Sequence, residues 1–383
     1  MVDLKERVFK KLTKEKHRAE INLLYKDFGD YFYVDPENDH RYLAERLASV
    51  KNSFLDFLNI NEFKPIDYKG IKEFYTFGEI TSITGEKLKE NEIYIQNLID
   101  GSSNLIKLDM SEIQNFSLYN GAIVALEGIR TNQNTILVKQ LFPVSSVNVV
   151  NLAASNLDLI IAKGPFAENK LNKIFDQNAE VIILYGPFYG EDEEVGYEDF
   201  VAGLKKRLMK NKFTKVILVP STADKLFFPV FPQNSIETNE NRILCAQNPS
   251  NVIINNHFIS LSNFDALTDI SENECLKENK IGEKKTKIEQ KLFDCDRLDR
   301  LCYYLTCSQS FSPVYPSNYQ VAYKTCLNAP QCPNIYVISS KFDEFYKKIG
   351  LCTVINLGES GNTFFAVLFS KNGSQYEIIK QNL

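Results

Sequence analysis

Three short apolar runs in the second half of the chain each end in a turn. Leu159-Ile160-Ile161-Ala162 precedes Gly164-Pro165-Phe166, and Val181-Ile182-Ile183-Leu184-Tyr185 precedes Gly186-Pro187-Phe188. Val216-Ile217-Leu218-Val219 precedes Pro220-Ser221-Thr222-Ala223-Asp224. β-Branched runs without polar alternation mark strands buried on both faces. Between the last two runs, Glu198–Lys212 has helical spacing and length. The pattern predicts strand, crossover helix, strand, and so an α/β sheet covered on both sides. In such sheets ligands bind at the carboxyl ends of the strands, where these turns lie. Gly, Pro, Phe, Ser and Thr fill them. It is a frame for a site, without the site's chemistry.

Upstream the periodicity changes twice. Residues 1 to about 65 read as helical. Lys5–Arg18 is a cationic face around Leu4, Val8 and Leu12, and Tyr42–Leu58 spaces Leu43, Leu47, Val50, Phe54 and Phe57 at three and four residues. After Pro65 and Gly70 the pattern turns to five strands: Phe74–Ile83, Glu92–Ile99, Asn104–Met110, Ala122–Arg130 and Thr135–Phe142. Ser111–Tyr119, between the third and fourth, suits a short helix capped by Ser111. Five strands with that insertion follow the plan of an OB-fold barrel. The expected organisation is a helical segment over 1–65, an OB domain over 66–150 and a larger α/β domain over 151–383.

Beyond the three runs, Pro229 to Asn241 reads as an ordered loop. Val252–Ile254 and Phe258–Leu261 form a hairpin around Asn255-Asn256, and Glu272–Gln290, rich in Lys and Glu, reads as a surface excursion. Helices are expected at Cys295–Leu305 and Phe342–Ile349, with strands at Ile335–Ile338, Cys352–Asn356 and Phe364–Phe369.

Composition narrows the function. A net charge of -5 argues against binding nucleic acid by bulk electrostatics. The barrel carries Phe74, Tyr75, Phe77 and Tyr94 as candidate stacking rings, but Lys107, Arg130 and Lys139 are set against Glu79, Glu92, Asp109 and Glu127. A protein–protein surface is the better reading of the barrel. All eight cysteines lie at or after Cys245 without a C-x-x-C pair, which predicts buried, reduced thiols. Asp3, Lys5, Glu6 and Arg7 interrupt the start, and no run approaches the ~18 apolar residues of a bilayer span, so a soluble intracellular protein is expected.

Phosphate-cradling and nucleophile-elbow motifs are absent from the sequence. Its histidines are His17, His40 and His257, and the first two lie in the helical segment. A dinuclear metallohydrolase needs several imidazoles and carboxylates around two ions. One candidate imidazole cannot supply them, and His257 reads as a surface or half-buried residue beside a turn. No catalytic, metal or cofactor set emerges.

The turn series G-P-F, G-P-F, V-P-S-x-x-D, then Thr306–Pro316 (TCSQSFSPVYP) and the terminal V-I-N-x-G…T-F-F-A-V-L-F, resembles the B-subunit family of DNA polymerase alpha. The likeness covers about residues 73–370, and Tyr119–Ile129 is similar to the family's fourth barrel strand. It implies an OB domain joined to a calcineurin-like phosphodiesterase domain that has lost its metals. Laid on active phosphoesterases, the first Asp and His of D-x-H fall on Lys163 and Pro165, around Gly164. The bridging Asp of G-D-x-x-[DN] falls on Pro187 after Gly186, with Gly190 at its end. After Pro220-Ser221, Thr222 and Ala223 replace the Asn and His of G-N-H-D, and Asp224 remains. The late G-H-x-H falls near Ser339, Ser340, Lys341 and Phe342. The family's Asn-Pro-Gly-Arg stretch stands here as Asn356-Leu357-Gly358-Glu359, and about 65 residues replace its N-terminal domain and linker.

The resemblance further implies a nuclear, non-catalytic accessory subunit of polymerase alpha–primase that supports initiation of replication. It would bind the C-terminal zinc-bearing module of the catalytic subunit, meet primase indirectly and DNA through the complex, and use no cofactor and no membrane. The equivalent accessory chain of polymerase delta or epsilon is the nearest alternative. A residual metal-dependent phosphodiesterase or nuclease built on Asp224 is the catalytic one, and a single-strand-binding OB module the third.

Overall fold

The structure, a computed structural model, describes residues 18–26, 28, 36–99, 104–132, 134–143, 155–190, 196–225, 228–278, 292–329, 331–370 and 375–383. The expected cationic helix of Lys5–Arg18 thus falls almost wholly outside them.

The first described strand, β1 (Ile21–Leu24), replaces part of the expected helical segment. It pairs antiparallel with a strand some 230 residues later, Ile21 facing Ile254, a long-range partner that local periodicity does not register. Helix α1 (Pro36–Leu58) extends the predicted one by nearly two turns. Strands β2 (Phe74–Thr81), β3 (Tyr94–Gln96), β4 (Ile106–Asp109), β5 (Phe116–Leu118), β6 (Ile123–Asn132) and β7 (Thr135–Phe142) follow. Five of them close a barrel in the order β2-β3-β4-β7-β6. The sixth corrects the expected helix at Ser111–Tyr119. All three residues of β5 are buried, and the backbone pairs with Cys275–Lys277 instead of closing on itself.

The three apolar runs are strands β8 (Leu157–Lys163), β9 (Val181–Tyr185) and β10 (Lys215–Val219), parallel as expected, with α2 (Glu168–Asp176) and α3 (Tyr197–Lys210) as their crossovers. Strand β11 (Ile243–Cys245), too short to predict, extends the edge. The hairpin forms as β12 (Ser250–Ile254) and β13 (His257–Leu261), with Asn255 and Asn256 both at positive φ, the backbone a two-residue primed turn requires.

Helix α4 (Ala266–Asn273) and β14 (Cys275–Lys277) correct the start of the supposed surface excursion, since Glu274 and Cys275 are buried; residues 279–290 of it lie outside the described residues. Helix α5 (Arg297–Cys307) sits two residues later than predicted because Asp296 caps it, accepting from the Asp299 amide at 2.7 Å. Strands β15 (Ile335–Ile338), β16 (Phe345–Ile349), β17 (Cys352–Asn356), β18 (Thr363–Phe369) and β19 (Glu377–Asn382) complete the chain. The predicted helix at Phe342–Ile349 is therefore wrong. Burial alternates along Phe345–Ile349 with a period of two, and β16 pairs with β17 across a turn at Gly350.

These strands make two six-stranded sheets, β1-β12-β13-β15-β17-β16 and β11-β10-β9-β8-β18-β19. Their facing sides share one apolar core that includes Ile161, Ile183 and Ile217 against Ile259, Val337 and Ile355. Helices α2 and α3 cover the outer face of the second sheet through Leu171, Ile174, Phe200 and Leu204. The outer face of the first joins α5 and the barrel in a continuous core through Tyr336, Leu301 and Leu118. No helix among the described residues is long and apolar enough to cross a membrane.

Candidate functional site

The carboxyl ends of β8, β9, β10, β13, β15 and β17 converge at one rim of the sandwich, because these six strands run the same way in their sheets. Lys163, Gly164, Pro165, Gly186, Pro187, Pro220 and Ser221 stand at the ends of the first three, with Gly190, Thr222, Ala223 and Asp224 in the turns beyond. Ser339, Ser340 and Phe342 follow β15. The fold thus brings these positions to one rim.

Their polar atoms are committed to one another. Asp224 is buried, its Oδ1 accepting from the Phe188 amide at 3.0 Å and its Oδ2 from the Ser221 amide at 2.7 Å. Gly186 lies so close that a β-carbon there would stand 2.2 Å from Oδ2, which is why a strand end built around this carboxylate carries glycine. Burial raises the Asp224 pKa to about 6, against the lowering effect of the two amides.

Residues that sequence reasoning passed over complete the packing. Gln233 donates to the Ser221 carbonyl at 2.9 Å, and Asn248 donates to Gln233 Oε1 at 2.9 Å. Asn248 accepts from the Asn263 amide at 2.8 Å, and Asn263 Nδ2 donates to the carbonyls of Gly186 at 3.0 Å and Pro220 at 3.1 Å. Buried carboxamides can accept and donate at once, so three of them satisfy carbonyls at the strand ends and one another. Isolated Asn and Gln in loops carry no sequence signal for such a role.

On the other side, Ser340 bonds to Asn356 Oδ1 at 3.0 Å, while Asn356 Nδ2 holds the carbonyls of Phe342 and Asp343 at 2.9 and 3.0 Å. The Lys163 ammonium donates to Ser339 Oγ at 2.5 Å and to the Gly358 carbonyl at 3.2 Å. Burial lowers its pKa, and the Glu359 and Asp265 carboxylates act the other way.

Among the described residues, the donor set of this rim does not fit a divalent cation. It holds an ammonium, hydroxyls and amides; the buried carboxylate of Asp224 already accepts from two backbone amides, and that of Asp265, near Lys163, accepts from the Thr268 and Lys341 amides. Among the described residues no group of three or more His, Cys, Asp or Glu side chains could hold a metal ion. His257 is at the opposite end of β13 and, contrary to the surface or half-buried reading, is buried at 1% exposure. Its ring bonds to the Ser155 carbonyl and the Tyr376 hydroxyl, both at 2.7 Å, which the sequence pattern around the turn did not indicate.

The barrel's candidate rings are mostly spent as well. Phe74 packs edge-on against Tyr68, Phe77 lies 4.8 Å from Phe63, and Tyr75 donates to Glu127 at 3.1 Å. Tyr94 stays half-buried and faces Lys107 across β3 and β4. Arg130 donates to the carbonyls of Asn132 and Ile66, and Lys139 is paired with Glu112 at 2.8 Å. Stacking a base needs a free ring face, and at Phe74 and Phe77 burial removes it.

The sequence pattern of the DNA polymerase alpha/epsilon B subunit matches residues 123–347. The chain belongs to that family. The pattern of the OB domain of the DNA polymerase alpha B subunit matches residues 41–144, which take in most of α1 and the closed barrel. The DNA polymerase alpha B subunit of Bos taurus is 21% identical over 371 residues, covering 87% of this chain and 59% of the relative. The Saccharomyces cerevisiae protein of the same description is 23% identical over 319 residues, covering 70% and 43%. The chain thus spans just under three-fifths of the length of the bovine relative. A solved Vps29 from Entamoeba histolytica, complexed with zinc, aligns at a TM-score of 0.25 and 7% identity, over 59% of this chain and 99% of that one, too low a score to bear on the fold.

Proposed function

We propose that the chain is a non-catalytic accessory subunit of DNA polymerase alpha–primase. In this reading it binds the C-terminal zinc-bearing module of the catalytic subunit, meets primase and DNA through the complex, works in the nucleus and supports initiation of replication. The observation that carries it is the pair of overlapping family matches, 41–144 to the alpha-type OB domain and 123–347 to the alpha/epsilon family. The alpha-specific OB match and the alpha-type relatives favour alpha over delta or epsilon.

The larger α/β part is proposed to be a calcineurin-like phosphodiesterase domain that no longer catalyses. The two facing sheets with a rim at the carboxyl ends support that, as does the filling of Lys163, Pro165, Pro187, Thr222, Ala223, Ser339 and Ser340 by non-ligating or differently committed groups. We also propose 1–65, 66–150 and 151–383 as the units of organisation, with α1 packed on the barrel through Leu47, Val50 and Phe54. A scaffold of this kind needs a broad, rigid surface more than a cleft.

A parallel co-expression pull-down against the C-terminal modules of the alpha, delta and epsilon catalytic subunits tests the reading. Selective capture by alpha is expected. Capture by another module moves the chain to that polymerase, and capture by none overturns the scaffold reading. Manganese-dependent cleavage of a model phosphodiester that disappears in Asp224→Ala would revive the catalytic alternative.

A further inference from the structure

The loop Gly358-Glu359-Ser360-Gly361 carries the chain from β17 in the first sheet to β18 in the second, and it closes directly over the strand ends of the rim. Two lysines hold it from below. Lys163, the last residue of β8, reaches across the sandwich to the Gly358 carbonyl and to Ser339 after β15, and Ser339 Oγ itself lies 3.2 Å from that carbonyl. Lys170 of α2 donates to the Gly361 carbonyl at 3.0 Å and to the Pro165 carbonyl at 3.3 Å. At Gly361, φ is +60° and a β-carbon would stand 2.5 Å from the Gly164 carbonyl, so the two backbones touch.

An ammonium has three donors and no acceptor, so it can gather oxygen atoms from separate elements much as an ion would. At Lys163 those oxygens come from both strands of the first sheet that end at the rim beside the loop, while the lysine itself belongs to the second sheet. The carboxylates of Asp265 and Glu359 add attraction. Without the charge, the buried Gly358 carbonyl and Ser339 hydroxyl would lose the donor they share.

We propose that the Lys163 ammonium is a built-in cation that clamps the sheet-crossing loop 358–361 onto the rim, doing the bridging between the two sheets that a bound metal ion could do. The inference goes beyond the accessory-subunit reading and holds whichever polymerase the chain serves. The rim is then not an empty relic but a closed joint whose cation is supplied by the chain.

The exposed Glu359 makes the joint measurable, because a glutamate-specific protease cuts there once the loop opens. In the full 383-residue chain, cleavage after Glu359 is followed by mass spectrometry relative to cleavage after Glu237, an exposed residue of the 229–241 loop. Lys163→Met, which keeps the stem and loses the charge, is expected to raise that ratio roughly tenfold or more, the effect of losing a charge-assisted hydrogen bond. A Lys163→Ala chain should regain protection with added propylammonium and not with propanol. A wild-type ratio in Lys163→Met, or equal rescue by propanol, overturns the proposal; should Lys163→Ala fail to fold, the Lys163→Met comparison decides alone.

Discussion

Asp224 is a buried carboxylate committed to the backbone. Its two oxygens take backbone amides from two different turns, and substitution by asparagine turns one acceptor into a donor facing an amide. Asp224→Asn is therefore expected to cost about 1–3 kcal/mol of stability, read by denaturant unfolding. Glu79 of β2 makes a different statement. It is buried with Arg46 of α1, accepts from Gln96 at 3.0 Å, and its Oε1 and Arg46 Nη2 find no hydrogen-bond partner among the described residues. Burial pushes its pKa up to about 7, against Arg46 and Gln96, from an ordinary value of 4.5. A carboxyl group raised in the folded state stabilises below its unfolded pKa and loses that contribution as pH climbs through the folded one. Stability should thus fall between about pH 4.5 and 7, by at most about 3 kcal/mol at ~1.4 kcal/mol per pKa unit. In Glu79→Gln that slope should flatten, which unfolding curves at several pH values will show.

At the scale of elements, the β5–β14 pair fastens the barrel to the sandwich. Glu274, just before β14, accepts from Arg300 of α5 at 2.8 Å and from Ser117 of β5 at 2.7 Å. Arg300→Met leaves that carboxylate buried with its main partner gone. A loss of about 3–5 kcal/mol is expected in thermal or denaturant unfolding. The same two strands explain what was legible in the sequence. Strands β8, β9 and β10 announced themselves because burial on both faces forces uninterrupted apolar runs, and the barrel strands because turn residues such as Gly85 and Gly101 punctuate them. β5, β14 and β1 did not, since each owes its conformation to a partner more than 150 residues away. At Phe342–Ile349 a helical spacing of Phe342, Phe345 and Ile349 coincided with a strand alternation of Phe345, Lys347 and Ile349, and the neighbouring β17 decided for the strand. The rim was readable as the place where Lys163, Pro187 and Ala223 stand. The carboxamides of Gln233, Asn248 and Asn263 that fill it were not, because only tertiary proximity gives them partners.

For the molecule as a whole, α1 is part of the barrel's packing. Leu47, Val50 and Phe54 bury Phe77 and Ala125, while Tyr42 and Arg46 reach the backbone of Ser312, Ser308 and Pro313 at 2.7 to 3.2 Å. A fragment covering 66–150 strips this helix away and uncovers an apolar barrel face. It should be less soluble and less stable than one covering 36–143, a difference that chromatography and thermal unfolding would register; equal behaviour would show that the barrel folds without the helix.

The place of β18 has a consequence for how the protein is made. It lies between β8 and β19 in the second sheet, yet about 200 residues separate the end of β8 from its start. At 5–20 residues per second, the apolar edge of β8 waits roughly 10–40 s on the ribosome for its neighbour. Through that interval the nascent chain presents a β-branched strand with unpaired amides, the kind of template to which other chains add. Its yield in a cell should therefore depend on chaperones that shelter such an edge, and a chain halted before residue 363 should be routed to degradation and not accumulate as a partial product.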